Sequence, residues 1–222
     1  MPVKIAIAQI QLQEGQRVIL ERISWQEFED VLADLGEHRH SHVAYYKGVL
    51  EFRMPLPEHE RNKTLVSHLL VVLLNELELD WESLGSTTFK NRRMQAGIEP
   101  DDCFYIQNYR AAIGLKRINL DVDPMPDLAI EVDLTSQTQM SAYEALGVAE
   151  IWRIRNGRLE INLLQDGKYV SSAISLIFPS IPVIEGISLF LERSDSLPMS
   201  ALCREFRAWL KQSLPSELGL TH

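Results

Sequence analysis

The stretch PMPDLAIEVDLTSQTQMSAYEALGVAEIWRI, residues 124–154, predicts a strand, a capped helix and a second strand in close succession. A period of two places Leu128, Ile130 and Val132 on one face of the first strand. Ser136 is the predicted N-cap of the helix, and Gly147 is its predicted end. A strand, a short helix and a strand in this order are typical of a compact α/β or α+β core.

The opposite face of that first strand carries Asp127, Glu131 and Asp133. Carboxylates on an otherwise apolar strand are costly to bury unless water, hydrogen-bond donors or a cation compensates them. A hard divalent cation prefers such oxygen ligands. A strand end that has simply reached solvent gives the same pattern, so both interpretations stay open.

A second acidic stretch, GIEPDDCFYI, spans residues 97–106. Asp101 stands directly ahead of the apolar run at 103–106, which predicts a buried strand. An acidic residue at the start of a buried strand is well placed to hold a metal ion at the edge of a sheet. Asp101 and Asp102 are also ordinary turn residues, which is the alternative.

Length and composition indicate one globular domain with short appendages. Of the 222 residues, 45% are apolar and 24% are charged, which is typical of a soluble protein. We expect an N-terminal arm at 1–20, the main domain at 21–195, and a C-terminal helix at 196–222 packed on that domain. No apolar run approaches the roughly 20 residues of a membrane span. Cys103 and Cys203 fit no CxxC pattern, which favours a reduced, cytoplasmic setting.

The formal net charge of −9 excludes a protein that coats nucleic acid by bulk electrostatics. Any contact with DNA must come from local basic residues, and the best candidates lie between Lys90 and Arg117. A solvated loop would have the same composition. His38, His40 and His42 alternate, so a histidine metal site is a further candidate, with histidines at a loop edge as the alternative.

Other predicted elements frame these stretches. They are a helix at 24–35 opened by the capping box of Ser24 and Glu27, a hairpin at 43–54 around Lys47-Gly48, a helix at about 58–79, a short strand at 87–90, a hairpin around Asn156-Gly157, a strand near 168–173 and a final helix at 197–212. Pro179 and Pro182 are predicted to interrupt the segment before that last helix.

Four strings, in this order, resemble the bacterial Uma family, which is classed with restriction endonucleases of the PD-(D/E)xK superfamily. They are YYKGVLEFRMPLPEHE, GIEPDDCFYI, PDLAIEVDLTS and YEALGVAEIWRI. The resemblance covers residues 24–190. It implies a restriction-endonuclease-like mixed sheet flanked by helices.

The resemblance also implies a metal site. Asp101 matches the family's first metal-binding aspartate and Glu131 its second acid, with Asp127 and Asp133 as further ligands or water contacts. The implied cofactor is Mg²⁺ or Mn²⁺.

The lysine of the superfamily motif is absent. It would stand two residues after Glu131, where this chain has Asp133, or four residues before Tyr143, where it has Gln139. That lysine polarises the attacking water and offsets charge on the phosphate. Gln139 can orient a water but supplies no charge, and its alternative role is in capping the helix.

Three functions follow from these patterns. The first is a divalent-metal-dependent endonuclease that hydrolyses DNA, which we expect to act as a homodimer because a duplex has two strands. The second is a nuclease-fold protein that binds nucleic acid or a partner without cutting, which the missing lysine favours. The third is a structural protein, in which Asp101 and Glu131 would lie apart.

Overall fold

Two parallel strands joined through a helix form the centre of the main sheet. The computed structural model describes residues 12–36, 41–132 and 136–213. In order across this six-stranded sheet, the strands are β11 (Lys168–Ser172), β10 (Arg158–Gln165), β9 (Glu150–Arg155), β8 (Leu128–Val132), β7 (Asp102–Tyr105) and β4 (Glu82–Ser83). β8 runs parallel to β9 and antiparallel to β7, so the sheet is mixed, as predicted.

A second, five-stranded sheet lies beside it among the described residues. Its order is β1 (Arg17–Glu21), β3 (Val49–Arg53), β2 (His42–Tyr46), β6 (Ala96–Ile98) and β5 (Phe89–Asn91). The hairpin of β2 and β3 was predicted, but the sequence patterns predicted one sheet. β6 was not predicted, and β1 falls in the segment expected to be an arm. β1 pairs with β3 along its whole length.

Helices cover both sheets. They are α1 (Trp25–Leu35), α2 (Pro57–Glu76), the single turn α3 (Tyr109–Ala112), α4 (Gln137–Leu146), α5 (Val183–Glu192) and α6 (Met199–Ser213). The predicted helix runs three residues past the observed end of α2 at Glu76, where Glu78 adopts a left-handed φ of 53°. α5 was not predicted. Pro182 is its N-cap, where the missing N–H of proline removes no intrahelical hydrogen bond.

Three clusters of buried apolar side chains show how the sheets and helices are layered. The first lies between one face of the main sheet, with Leu128, Ile130 and Val132, and helices α2, α5 and α6. The second joins the opposite face to α4 and to the five-stranded sheet. The third lies between the five-stranded sheet and α1. Helix α4 is therefore packed between the two sheets, and the predicted alternation of β8 is confirmed.

Gly97, in β6, lets α1 approach the five-stranded sheet closely. A Cβ atom on Gly97 would lie 2.7 Å from Cζ of Phe28. Phe28 cannot move aside easily, because it is fully buried and stacks on Tyr45 with ring centroids 4.6 Å apart. The glycine of the GIEPDDCFYI stretch thus has a packing reason.

We expect Gly97→Ala to lower the free energy of unfolding by about 1–3 kcal/mol, the usual cost of overpacking a tight core. Urea denaturation measures this change. Phe28→Leu should open space for the added methyl group, so the same alanine substitution should cost less in a Phe28→Leu background. An equal cost in both backgrounds would contradict this account.

Candidate active site

A buried arginine joins the two predicted acids. Nη2 of Arg53 donates hydrogen bonds to Oδ1 of Asp101 at 2.7 Å and to Oε2 of Glu131 at 2.8 Å. Only 4% of Asp101 and 0% of Glu131 is exposed, and the side chain of Arg53 is 14% exposed. Two acids 30 positions apart in sequence therefore converge on one positive charge.

The two sheets meet at this point. Asp101 lies on the segment that leaves β6 in one sheet and enters β7 in the other. Its second oxygen, Oδ2, accepts a hydrogen bond of 2.7 Å from the backbone N–H of Val132. Arg53 is the last residue of β3, and Glu131 lies one residue before the end of β8. Strand ends from both sheets thus supply the site.

Helix α4 fixes the remaining oxygen of Glu131. The hydroxyl of Tyr143 lies 2.5 Å from Oε1 of Glu131. The N-cap Ser136 accepts from the N–H of Gln139, and Gly147, at a left-handed φ of 89°, donates its N–H to the carbonyl of Tyr143. The caps that were read from the sequence therefore set the register that brings Tyr143 to the acid pair.

The two acids differ in their pKa. Burial alone would raise the pKa of Asp101, but Arg53 and the N–H of Val132 favour its carboxylate, so its pKa lies below the usual range. Burial, and then repulsion from Asp101, raise the pKa of Glu131 to about 8, against the opposing effects of Arg53 and Tyr143. The pair therefore keeps one proton near neutral pH, and Arg53 balances the one negative charge that remains.

The two basic residues beside Asp101 and Glu131 differ in charge. Burial would lower the pKa of Arg53, but Asp101 and Glu131 more than offset this effect, so its pKa is raised and the guanidinium stays charged. Burial lowers the pKa of His42 to about 4, despite the attraction of Asp101. Nδ1 of His42 lies 3.7 Å from Oδ1 of Asp101. His42 is consequently neutral at physiological pH, and Arg53 carries the balancing charge.

A cavity of about 460 Å³ opens beside the site. Its walls include Arg53, Glu51, Gln139, Arg17 and His59. Asp101 and Glu131 do not line it, although Val132 and Arg53, which both hydrogen-bond to Asp101, do. Arg53 therefore stands between the acid pair and the cavity.

Glu51 adds a third acid near the cavity. It lies two residues before Arg53 on β3 and is 1% exposed. Its Oε2 accepts a hydrogen bond from the hydroxyl of Ser136, and its buried Oε1 has no hydrogen-bond partner within the described ranges. A buried acceptor without a donor is costly, which marks Glu51 as a residue with a use beyond packing.

The comparison with protein families matches residues 25–192 to Uma2, described as "Putative restriction endonuclease". The chain belongs to the Uma2 family. The matched region contains Arg53, Asp101, Glu131 and Gln139. Membership of Uma2 confirms the family predicted from the four sequence strings and supports a nuclease function.

A solved structure from Anabaena variabilis is among those similar to this Uma2 chain. It is titled "Crystal structure of a putative nuclease belonging to DUF820 from Anabaena variabilis ATCC 29413". The two sequences are 17% identical, the match covers 80% of this chain and 97% of the other, and the TM-score is 0.46. No curated protein matches the chain. None of the helices within the described ranges is long and apolar enough to cross a membrane.

Asp127, another predicted ligand, makes hydrogen bonds away from Asp101 and Glu131 in the described part of this Uma2 chain. Asp127 accepts hydrogen bonds at Oδ2 from the N–H groups of Ile106 and Asn108, and at Oδ1 from the side-chain amide of Asn108. These bonds tie down the turn after β7, and Asp127 would have to give them up to bind a metal. Asp133 lies outside the described residues.

Gln139 and the alternating histidines are two further predicted sites. Gln139 is buried, and it lines the cavity next to Arg53 and Glu51. Of the alternating histidines, His38 and His40 lie outside the described residues, and His42 is beside Asp101. In residues 12–36, 41–132 and 136–213, no group of three or more His, Cys, Asp or Glu side chains is arranged to hold a metal ion.

Sequence reasoning missed Arg53 and Glu51 as site residues. Both lie in the YYKGVLEFRMPLPEHE string that carried the Uma2 resemblance, on a strand that the hairpin pattern predicted. The available signal was their spacing, because residues i and i+2 share one face of a strand. A charged pair on one face of an otherwise apolar strand is the same pattern that identified Glu131.

The raised pKa of Glu131 has a consequence for stability. The folded protein holds a proton between about pH 4.5 and 8 that the unfolded chain releases, so the free energy of unfolding should fall as pH rises through this range. Relative to Glu131→Gln, which cannot titrate, the wild type should lose at most ~1.4 kcal/mol per pH unit. Urea denaturation across that range measures the difference, and parallel pH profiles for the two proteins would refute it.

Proposed function

We propose that this chain is a divalent-metal-dependent endonuclease that hydrolyses phosphodiester bonds of DNA. The single observation that carries the proposal is the convergence of Asp101 and Glu131 on one cation, the guanidinium of Arg53. Buried carboxylates that share one charged partner and have perturbed pKa values are a pattern that recurs at functional sites. Membership of Uma2 supports the same chemistry.

The donor set of the site fits a divalent cation. One carboxylate oxygen from each acid already lies within hydrogen-bond distance of a single nitrogen, so both are directed at a shared positive centre. Mg²⁺ is commonly held by one or two carboxylates and completes its shell with water and substrate oxygens. We therefore assign Asp101 and Glu131 as the ligands of Mg²⁺ or Mn²⁺, and we keep Asp133 as a proposed additional ligand.

Each neighbouring side chain has a part in this mechanism. A bound Mg²⁺ or Mn²⁺ would supply a water of lowered pKa and would offset charge on the phosphate. Val132 N–H and the Tyr143 hydroxyl hold the acids in orientation. Gln139, on the cavity wall, can orient a water by hydrogen bonding, although it brings no charge. Arg17, also on the cavity wall, is exposed and can contact a DNA phosphate.

A basic surface supports DNA as the substrate despite the acidic net charge. Lys90, Arg92 and Arg93 line a second cavity of about 400 Å³, together with Asn119 and Asp121. Lys90, Arg92 and Arg93 belong to the basic cluster predicted between Lys90 and Arg117. Phosphate contacts need local positive charge and not a basic protein, so the net charge of −9 is compatible with this role.

A plasmid-nicking assay tests the proposal. Wild-type protein should nick supercoiled DNA with millimolar Mg²⁺ or Mn²⁺ and should not do so with a chelator. Asp101→Asn and Glu131→Gln should each lower the rate at least ~100-fold, as for loss of one electrostatic stabiliser. Asp80→Ala, at an exposed acid away from the site, should leave the rate unchanged. Activity that survives both site substitutions would reject the assignment.

A second candidate function is favoured by one observation. Arg53 fills the position between the acids, and Gln139 stands where some relatives carry the lysine. A Uma2 protein of this kind would bind nucleic acid without cutting it. DNA binding in a gel-shift assay, with no nicking in the presence of either metal, would select this function.

We also propose that the protein acts in the cytoplasm. We propose that it is a homodimer, because cleavage of a duplex needs a site for each strand. The edge strand β11 and the segment after it carry exposed apolar side chains, with Ile174 and Leu176 each 58% exposed. Light scattering should give twice the 25.4 kDa mass of the chain. Ile174→Glu should shift the mass toward one chain, and a wild-type mass of one chain at high concentration would refute the dimer.

A further inference from the structure

We propose that Arg53 is an exchangeable internal cation, which occupies the metal position between Asp101 and Glu131 and moves toward Glu51 when a divalent metal binds. The inference rests on the proposed function in one respect, that the acid pair binds metal. It assigns to this chain a gate on that site, built from two residues of one strand.

The position of Arg53 is the first argument. Its Nη2 contacts one oxygen of each acid, and the other oxygens of the acids are held by Val132 and Tyr143. Every carboxylate oxygen of the pair therefore has a donor already. A metal ion cannot share these oxygens with the guanidinium, because two cations at one point repel each other. Binding of the metal and retention of Arg53 are mutually exclusive.

The way Arg53 is held is the second argument. A guanidinium binds a carboxylate most strongly through two parallel N–H groups. Here one nitrogen serves both acids, and the buried Nε has no hydrogen-bond partner within the described ranges. Arg53 is thus charged and central to the site, but incompletely satisfied there. An incompletely satisfied cation is easier to displace than one held in a full fork.

Glu51 supplies the alternative position. It shares a strand face with Arg53, lines the same cavity, and has a buried Oε1 with no donor in the described part of the chain. The unsatisfied Nε of Arg53 and the unsatisfied Oε1 of Glu51 are complementary. A rotation of the Arg53 side chain toward the cavity would pair them and uncover the acids. Arg53 would then face the cavity through which a phosphate must approach.

Calorimetric titration with Mn²⁺ alone tests the gate. Arg53→Met removes the competitor, and the variant should bind Mn²⁺ at least about tenfold more tightly than wild type, within the usual range of coupling between sites. Arg53→Lys keeps a competing charge and should fall between the two. Equal or weaker Mn²⁺ binding by Arg53→Met would overturn the proposal.

A double-mutant cycle tests the role of Glu51. Glu51→Gln should weaken Mn²⁺ binding when Arg53 is present, because the displaced guanidinium loses its partner. The same substitution should have little effect in the Arg53→Met background. If Glu51→Gln weakens binding equally in both backgrounds, Glu51 acts on the metal directly and the exchange is refuted.

Arg53→Met leaves two buried acids without a cation, so its folding must be checked separately. Its melting temperature should drop without metal and recover with Mn²⁺. A measurement on the wild-type protein does not depend on whether Arg53→Met folds. The NMR resonance of the Arg53 Nε–H is assigned by its loss in Arg53→Lys. It should shift as Mg²⁺ is added, and Mg²⁺ is used in place of Mn²⁺ because it is diamagnetic. An unchanged resonance at Mg²⁺ saturation would overturn the proposal.

The outcome is separable from that of the nicking assay. Tighter Mn²⁺ binding by Arg53→Met with no DNA cleavage by any variant supports the gate and rejects the endonuclease. DNA cleavage by the wild type, with equal metal affinity in wild type and Arg53→Met, keeps the endonuclease and rejects the gate.

Discussion

A guanidinium held between two buried carboxylates is the interaction on which the rest of this structure depends. Burying Asp101 and Glu131 without a cation would leave like charges facing each other in a medium of low dielectric. Arg53 and one shared proton bring the cluster to electrical neutrality. The ends of β3 and β8, the crossing segment at Asp101 and helix α4 are all placed so that this neutral cluster can form.

The cluster also explains why the two sheets stay together. Apolar packing between them is extensive, but it fixes position only loosely, since dispersion contacts have little directionality. The hydrogen bonds of Arg53, Val132 N–H and Tyr143 have definite lengths and directions. The bond from Arg53 to Glu131 joins β3 to β8, two strands that no backbone ladder connects. Buried polar groups are known to make one arrangement of a fold specific in this way. They often add little to its stability.

The sequence was sufficient for most of the main sheet. The alternation of Leu128, Ile130 and Val132, the cap at Ser136 and the turn at Asn156-Gly157 are local signals, and local geometry decides them. The second sheet was missed because its short strands, such as β6 at Ala96–Ile98, have too few residues to show a period. Helix α5 was missed because Pro182 was taken as an interruption, whereas at an N-cap proline is tolerated.

The site was only half predictable for a related reason. Asp101 and Glu131 were found because each is an acid in an apolar stretch, which is a property of the sequence alone. Arg53 was not found, because its role depends on which strand end of the other sheet approaches β8 in space, and sequence distance carries no information on that. Asp127 shows what residue type and strand face alone leave open. It has the right residue type on the right face, yet its oxygens are used by the turn at Ile106 and Asn108.

The hydrogen bond from the Val132 amide to Asp101 has a consequence for how this protein opens. The amide belongs to a strand of one sheet, and its acceptor lies on the segment that enters from the other. Asp101 directly precedes β7, whose first residue, Asp102, pairs with Ile130 of β8. Exchange of this one amide proton with solvent therefore requires β7 and β8 to part at this end or Asp101 to turn away. The exchange lifetime of the Val132 amide proton thus reports the free energy of local opening at the acid cluster, and it does so without an assay of catalysis.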